Sequence, residues 1–209
     1  GKASHRTEPS RHARPVQFEF LEQRLLLSAD FRVLPYVQNP APDAMTVMWL
    51  SHEQVNGQIE YSTGGGGATI LNSTALEVQT LDDFGATDPN TPYLHEVRLT
   101  NLQANTIYNY TVTQGGENFS ATFKTAPAGD QAIRFMVYAD SETQPNSTGS
   151  HANGYVVDQT DGYRENLRVI QDRNPDLVLI AGDLVETGGV QSHWDEFWEH
   201  NTNREFKTA

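Results

Sequence analysis

From Phe31 to about Pro127 apolar and polar residues alternate with a period of two. Met45, Val47 and Trp49 alternate with Thr46 and Met48. Ile59 and Tyr61, Val97 and Leu99, then Tyr108, Tyr110 and Val112, then Phe119, Ala121 and Phe123 repeat the habit. Turn-forming segments separate these runs: Asn39-Pro40-Ala41-Pro42-Asp43, Asn56-Gly57, Gly64 to Gly67, Asp88-Pro89-Asn90 and Gly115-Gly116. Short alternating strands at such spacing predict an antiparallel β-sandwich, with the aromatics as its core.

The period is lost at Thr125-Ala126-Pro127-Ala128-Gly129-Asp130, which marks a boundary. Beyond it the pattern changes. A compact apolar run, Ile133 to Ala139, stops at Asp140, and a second, Leu177 to Gly182, stops at Asp183. Between them lie a polar, Gly- and Asn-rich loop (141–158) and a helix with Tyr163, Leu167 and Ile170 on one face, ended by Pro175. A strand, a crossover helix and a strand predict a parallel pair. A last helix begins at Ser192, where Ser192-His193-Trp194-Asp195 has the spacing of a capping box. Trp194, Phe197 and Trp198 are its packing side, and His193 and His200 are expected at its surface. The chain is thus multidomain: a tail over 1–30, a β-sandwich over 31–127 and a partial α/β unit over 131–209.

Composition narrows the partners. The net charge of -13 over 209 residues argues against nucleic acid or an anionic membrane. No apolar run is long enough to span a bilayer. There is no cysteine, so disulfides, thiolate metal sites and thiol nucleophiles are excluded together. The first two dozen residues are mildly basic (Lys2, Arg6, Arg11, Arg14, Arg24), and residues 1–18 have the composition of a disordered tail. Asn72, Asn109, Asn118 and Asn146 head glycosylation-type triplets, which matter only in a glycosylating host.

Candidate chemistry collects where the two apolar runs end. Parallel strands bring their carboxyl ends to one edge, the usual place for ligands in open α/β sheets. Asp140 and Asp183 are both there. A carboxylate at such a place is costly without a cation or donors. Two readings stand side by side. Either the pair shares divalent cations, as in two-metal hydrolases with ions roughly 3.5–4 Å apart, or each aspartate caps the following helix or holds a loop. No leaving-group acid can be assigned. Glu142 and Glu186 are secondary oxygen donors, and His151 matches no motif.

Four stretches resemble known proteins. Leu102-Gln103-Ala104-Asn105-Thr106-Ile107-Tyr108 resembles the turn before strand F of fibronectin type III domains, tyrosine corner included, and Trp49 stands where they carry a core tryptophan. Phe135-Met136-Val137-Tyr138-Ala139-Asp140 and Asp176 to Val185, with Gly182-Asp183 inside it, resemble the first two blocks of calcineurin-like metallophosphoesterases. A fibronectin-like sandwich before such a domain is the layout of purple acid phosphatases. Phe18 to Ala29 resembles a motif at the start of some bacterial surface and exported proteins, with Gln23 in place of its proline. A secreted or surface location is the corresponding expectation.

The resemblance implies a phosphoester hydrolase of acid phosphatase type acting on a phosphate ester. It also implies two divalent or mixed-valence ions (Fe, Mn or Zn), with Asp140 on the first ion and Asp183 bridging both. The departures are informative. Purple enzymes have an iron-binding tyrosine three residues after the bridging aspartate, where this chain has Glu186, so the expected centre is colourless. Glu142 stands where many members have histidine. The Gly-Asn-His block and the later histidine motifs are missing, so the catalytic domain is expected to be incomplete, as in the front of a longer enzyme. The competing expectation is a non-catalytic surface or adhesion protein with a degenerate phosphoesterase scaffold.

Overall fold

The computed structural model describes residues 31–141 and 159–202. The basic tail, the 18–29 motif, Asn146, Glu142, His151 and most of the 141–158 loop lie outside the described residues.

Two antiparallel four-stranded sheets face each other. The first has the order β1 (Phe31–Ala41), β2 (Ala44–Ser51), β6 (Tyr93–Thr100), β5 (Leu76–Glu77). The second runs β4 (Thr69–Ser73), β3 (Gly57–Ser62), β7 (Ile107–Gln114), β8 (Glu117–Lys124). Alternation along each strand sends one set of side chains inward. Met45, Val47, Trp49, Ile59, Tyr61, Val97, Leu99, Tyr108, Tyr110, Val112 and Phe123 meet in one core. The β-sandwich expected from the pattern is therefore the fold of this part.

The first turn differs from the expectation. Asn39, Pro40 and Ala41 continue β1, and the reversal is left to Pro42 and Asp43. Proline is tolerated because β1 is an edge strand, and its pairing with β2 is interrupted by register shifts. The short strands β4 and β5 were not marked by any alternation.

Polar groups inside the sandwich are paired in a chain. The Gly57 N–H donates to Ser73 Oγ (3.2 Å), and Ser73 Oγ lies 2.9 Å from His95 Nδ1. His95 Nε2 lies 2.9 Å from Ser51 Oγ, which donates to the Glu53 carbonyl (2.8 Å). Donor and acceptor capacities are all used when His95 is neutral with its proton on Nε2. Its ring stacks on Trp49 at 4.8 Å, and burial pulls its pKa down to about 4. Trp49 donates to Gln114 Oε1 (3.0 Å). A Cβ on Gly57 would fall 2.5 Å from that oxygen and 2.7 Å from the Trp49 ring, so only glycine fits there. At the tyrosine corner the Gln103 N–H donates to Tyr108 Oη (2.9 Å).

After the sandwich, β9 (Phe135–Tyr138) and β10 (Leu177–Ile180) pair in parallel, joined through α1 (Gln159–Asp172). Tyr163, Leu167 and Ile170 of α1 pack on Met136 and Tyr138. The opposite face is uncovered, with Phe135 and Val137 each about half exposed (54% and 53%).

The last helix, α2 (Gln191–Thr202), departs from the sequence reading in two ways. No capping box forms: Ser192 Oγ bonds Asp83, and Asp195 takes Gln191 Nε2 and Arg32. His193 and His200 are buried rather than on the surface, at 8% and 2% exposure. The reason is that α2 is covered on two sides. Arg32 and Tyr36 of β1 hold Asp195 and Trp198, while Tyr163 and Arg164 of α1 hold His200. An isolated amphipathic reading could not reveal the second covering surface.

Candidate functional site

Both candidate aspartates sit at the carboxyl end of the parallel pair. The register Ile180↔Tyr138 continues past the strands: the Ala181 N–H donates to Tyr138 O (2.8 Å), and the Asp140 N–H to Gly182 O (3.4 Å). Asp140 therefore lies opposite Gly182, and Asp183 follows by one residue. Glu186 is exposed in the loop three residues further on. Glu142 lies outside the described residues.

The backbone at both positions is unusual. Six non-glycine residues have positive φ among the described residues. Four are asparagines, Asn39, Asn101, Asn105 and Asn174. The other two are Asp140 (58°) and Asp183 (49°), with Gly182 at 129° between the strand and Asp183. The left-handed region is costly for residues with a Cβ, by about 1 kcal/mol or more, although Asp and Asn tolerate it best. It turns the chain sharply after the last strand residue.

For Asp183 the capping alternative does not fit this geometry, because α2 begins only at Gln191, well beyond it. Among the described residues neither carboxylate takes part in a hydrogen bond or ion pair. What links the two loops is Ser141, a residue that no sequence signal marked. Its Oγ donates to Leu184 O (3.0 Å) and lies 3.4 Å from Asp183 O.

Behind the site, Asn201 Nδ2 donates to Tyr163 Oη (2.8 Å). Tyr163 Oη lies 3.0 Å from Tyr138 Oη, which donates to Asn201 Oδ1 (3.2 Å). Each hydroxyl can donate once round this triangle, so β9, α1 and α2 are locked two residues before Asp140. Burial raises the pKa of both tyrosines, so they stay neutral hydroxyls at ordinary pH. A cavity of about 240 Å³ opens beside β9 and α1, lined by Tyr138, Tyr163, Asn166, Asp140 and Ser141 among others.

As a donor set, two carboxylates suit a hard or borderline divalent cation in kind. They fall short in number, since the described residues contain no group of three or more His, Cys, Asp or Glu able to hold an ion. His193 and His200 are already engaged. His193 Nδ1 accepts from the Thr187 N–H (3.0 Å), and His200 Nδ1 accepts from Arg164 Nε (3.3 Å) while its Nε2 faces Glu196 (3.0 Å).

Residues 32–126 match the family model described as "Purple acid Phosphatase, N-terminal domain". The N-terminal part of the chain is purple acid phosphatase-like. The match covers the sandwich almost from end to end and stops before β9. No curated protein matches the chain. Purple acid phosphatases generally use a dinuclear metal centre, and the matched domain is not the part that carries catalysis.

Proposed function

We propose that the protein is a metal-dependent phosphoester hydrolase of acid phosphatase type. Residues 31–127 form its fibronectin III-like domain and residues 131–209 the part of its catalytic domain that holds Asp140 and Asp183. The observation that carries the proposal is the pairing of two aspartates at the carboxyl ends of adjacent parallel strands. Both are left-handed, and neither carboxylate is bonded by another described residue. The family match of the preceding sandwich supports it. The order β1-β2-β6-β5 over β4-β3-β7-β8 and the Tyr108 corner support the fibronectin III-like reading. A secreted or surface location belongs to the same proposal, on the strength of residues 18–29.

In this reading Asp183 would bridge two ions (Fe, Mn or Zn) and Asp140 would ligate one of them, making up part of the ligand set. Bound there, such ions supply Lewis acidity towards a phosphate ester and lower the pKa of water. The chain's own contribution is positioning. The left-handed turns at Asp140 and Asp183 end the strands side by side, and Ser141 ties one loop to the other. The hydroxyl triangle fixes the approach of β9. Glu186 is a further oxygen donor on the same loop.

The test is hydrolysis of p-nitrophenyl phosphate with added Mn²⁺, Zn²⁺ or Fe²⁺. Metal-dependent turnover that disappears in Asp183→Asn supports the hydrolase. The absence of any group of three metal-binding side chains among the described residues favours a second reading, a non-catalytic surface protein on a degenerate scaffold. Absence of both bound metal and turnover in the full-length product would decide for it.

A further inference from the structure

The loop that begins at Asp183 is fixed at its far end by the sandwich rather than by the α/β unit. Leu81, in the connection between β5 and β6, donates its N–H to Gly189 O (3.0 Å) and accepts from the Gln191 N–H (3.0 Å). The two bonds form a parallel bridge between Leu81 and Val190. Val190 is buried, and Ser192 Oγ, two residues further along, bonds Asp83. The middle of the loop is held by α2, with Thr187 N–H on His193 Nδ1 and Trp194 Nε1 on Gly188 O (2.7 Å), and by its own turn, Val190 N–H on Thr187 O (3.0 Å). Its near end is held by Ser141.

A second tie reaches the Asp140 side. α2 is gripped by β1 through Arg32–Asp195 and the Tyr36–Trp198 stack (4.3 Å). Through Asn201 it then holds Tyr138, two residues before Asp140. Each aspartate thus lies on a segment that hydrogen bonds and packed rings tie to the sandwich.

We propose that the sandwich is the positioning frame of the two-aspartate site, with the backbone of Leu81 as the positioning residue for loop 183–190. The metal role of the aspartates rests on the reading given above, but the positioning of the loop does not. An eight-residue loop with free ends samples many conformations, and pinning it from outside reduces the cost of ordering ligands when a cation arrives.

The test uses the whole 209-residue chain. Leu81→Pro removes one donor of the bridge. Gln191→Pro removes the other at the first helical position, where proline is otherwise tolerated. Leu81→Ala keeps both backbone bonds and serves as the control. Amide exchange at Thr187 and Val190 is followed by NMR, with amides of β3 and β7 as the internal check that the sandwich is folded. Both proline variants are expected to exchange roughly five- to tenfold faster at Thr187 and Val190, the equivalent of one lost hydrogen bond. Leu81→Ala is expected to behave as the parent. Unchanged exchange in both proline variants would overturn the proposal. In parallel, Mn²⁺ affinity is expected to fall in the proline variants and hold in Leu81→Ala, whereas equal affinity in all would count against positioning. If the parent binds no Mn²⁺, the metal reading fails, and the exchange rates still decide whether the sandwich holds the loop.

Discussion

Arg32 of the sandwich and Asp195 of the last helix form a two-pronged ion pair, with Nε 3.0 Å from Oδ1 and Nη2 2.8 Å from Oδ2. The arginine side chain is 10% exposed and the carboxylate 38%, so the pair lies between a surface bridge and a buried one. A double-mutant cycle with Arg32→Met and Asp195→Asn should give a coupling of about 1 to 2 kcal/mol, read by urea unfolding. A coupling near zero would mean that this ion pair adds nothing to the hold of the sandwich on α2.

His95 sets a pH dependence of known sign. Its folded pKa, about 4, lies below the ordinary 6.5, so the unfolded chain takes up a proton that the folded chain refuses. The contribution is fully present above pH 6.5 and is lost as pH falls from there towards 4. Between pH 6.5 and 5 the loss is about 2 kcal/mol. In His95→Gln that part of the slope should vanish. Parallel stability curves for parent and variant would show that the ring is protonated inside the sandwich without penalty.

Two tyrosines one step apart on the same face of β7 should respond oppositely. Tyr108 Oη accepts from the Gln103 N–H, whereas the buried Tyr110 Oη has no hydrogen-bond partner among the described residues. Tyr108→Phe should cost about 1 kcal/mol, and Tyr110→Phe should be neutral or stabilising by up to about 1 kcal/mol. Urea midpoints of the two variants measure both, and a destabilised Tyr110→Phe would reveal a partner for that hydroxyl.

The uncovered side of the parallel pair presents Phe135 and Val137 to solvent. The double variant Phe135→Gln, Val137→Thr should change stability by less than about 1 kcal/mol, because little burial is lost. It should also reduce the fluorescence of added anilinonaphthalene sulfonate, a probe of exposed apolar surface. Undiminished fluorescence would mean that the dye reads another surface.

Legibility in the sequence followed the origin of each signal. Ile59, Val97 and Tyr110 alternate with polar neighbours because one side of a strand is buried and the other is not, so the sandwich could be read off directly. Asp140 and Asp183 stood out as charges that end apolar runs. The end of β1 is hidden in the pattern because Pro40 signals a turn wherever it stands, and only the edge of the sheet accommodates it. His200 was misplaced because its burial comes from Tyr163 and Arg164, more than thirty positions away. Leu81 and Ser141 act through backbone groups and one hydroxyl, which leave no mark on a hydrophobic pattern.

Paramagnetic broadening by Mn²⁺ tests most directly the proposal that Asp140 and Asp183 share a divalent cation. Substoichiometric Mn²⁺ added to the ¹⁵N-labelled chain should broaden the amides of Ser141, Gly182 and Leu184 before those of β3 or β7, and Asp140→Asn or Asp183→Asn should abolish the selectivity. Broadening centred elsewhere, or identical in the parent and both variants, would contradict it.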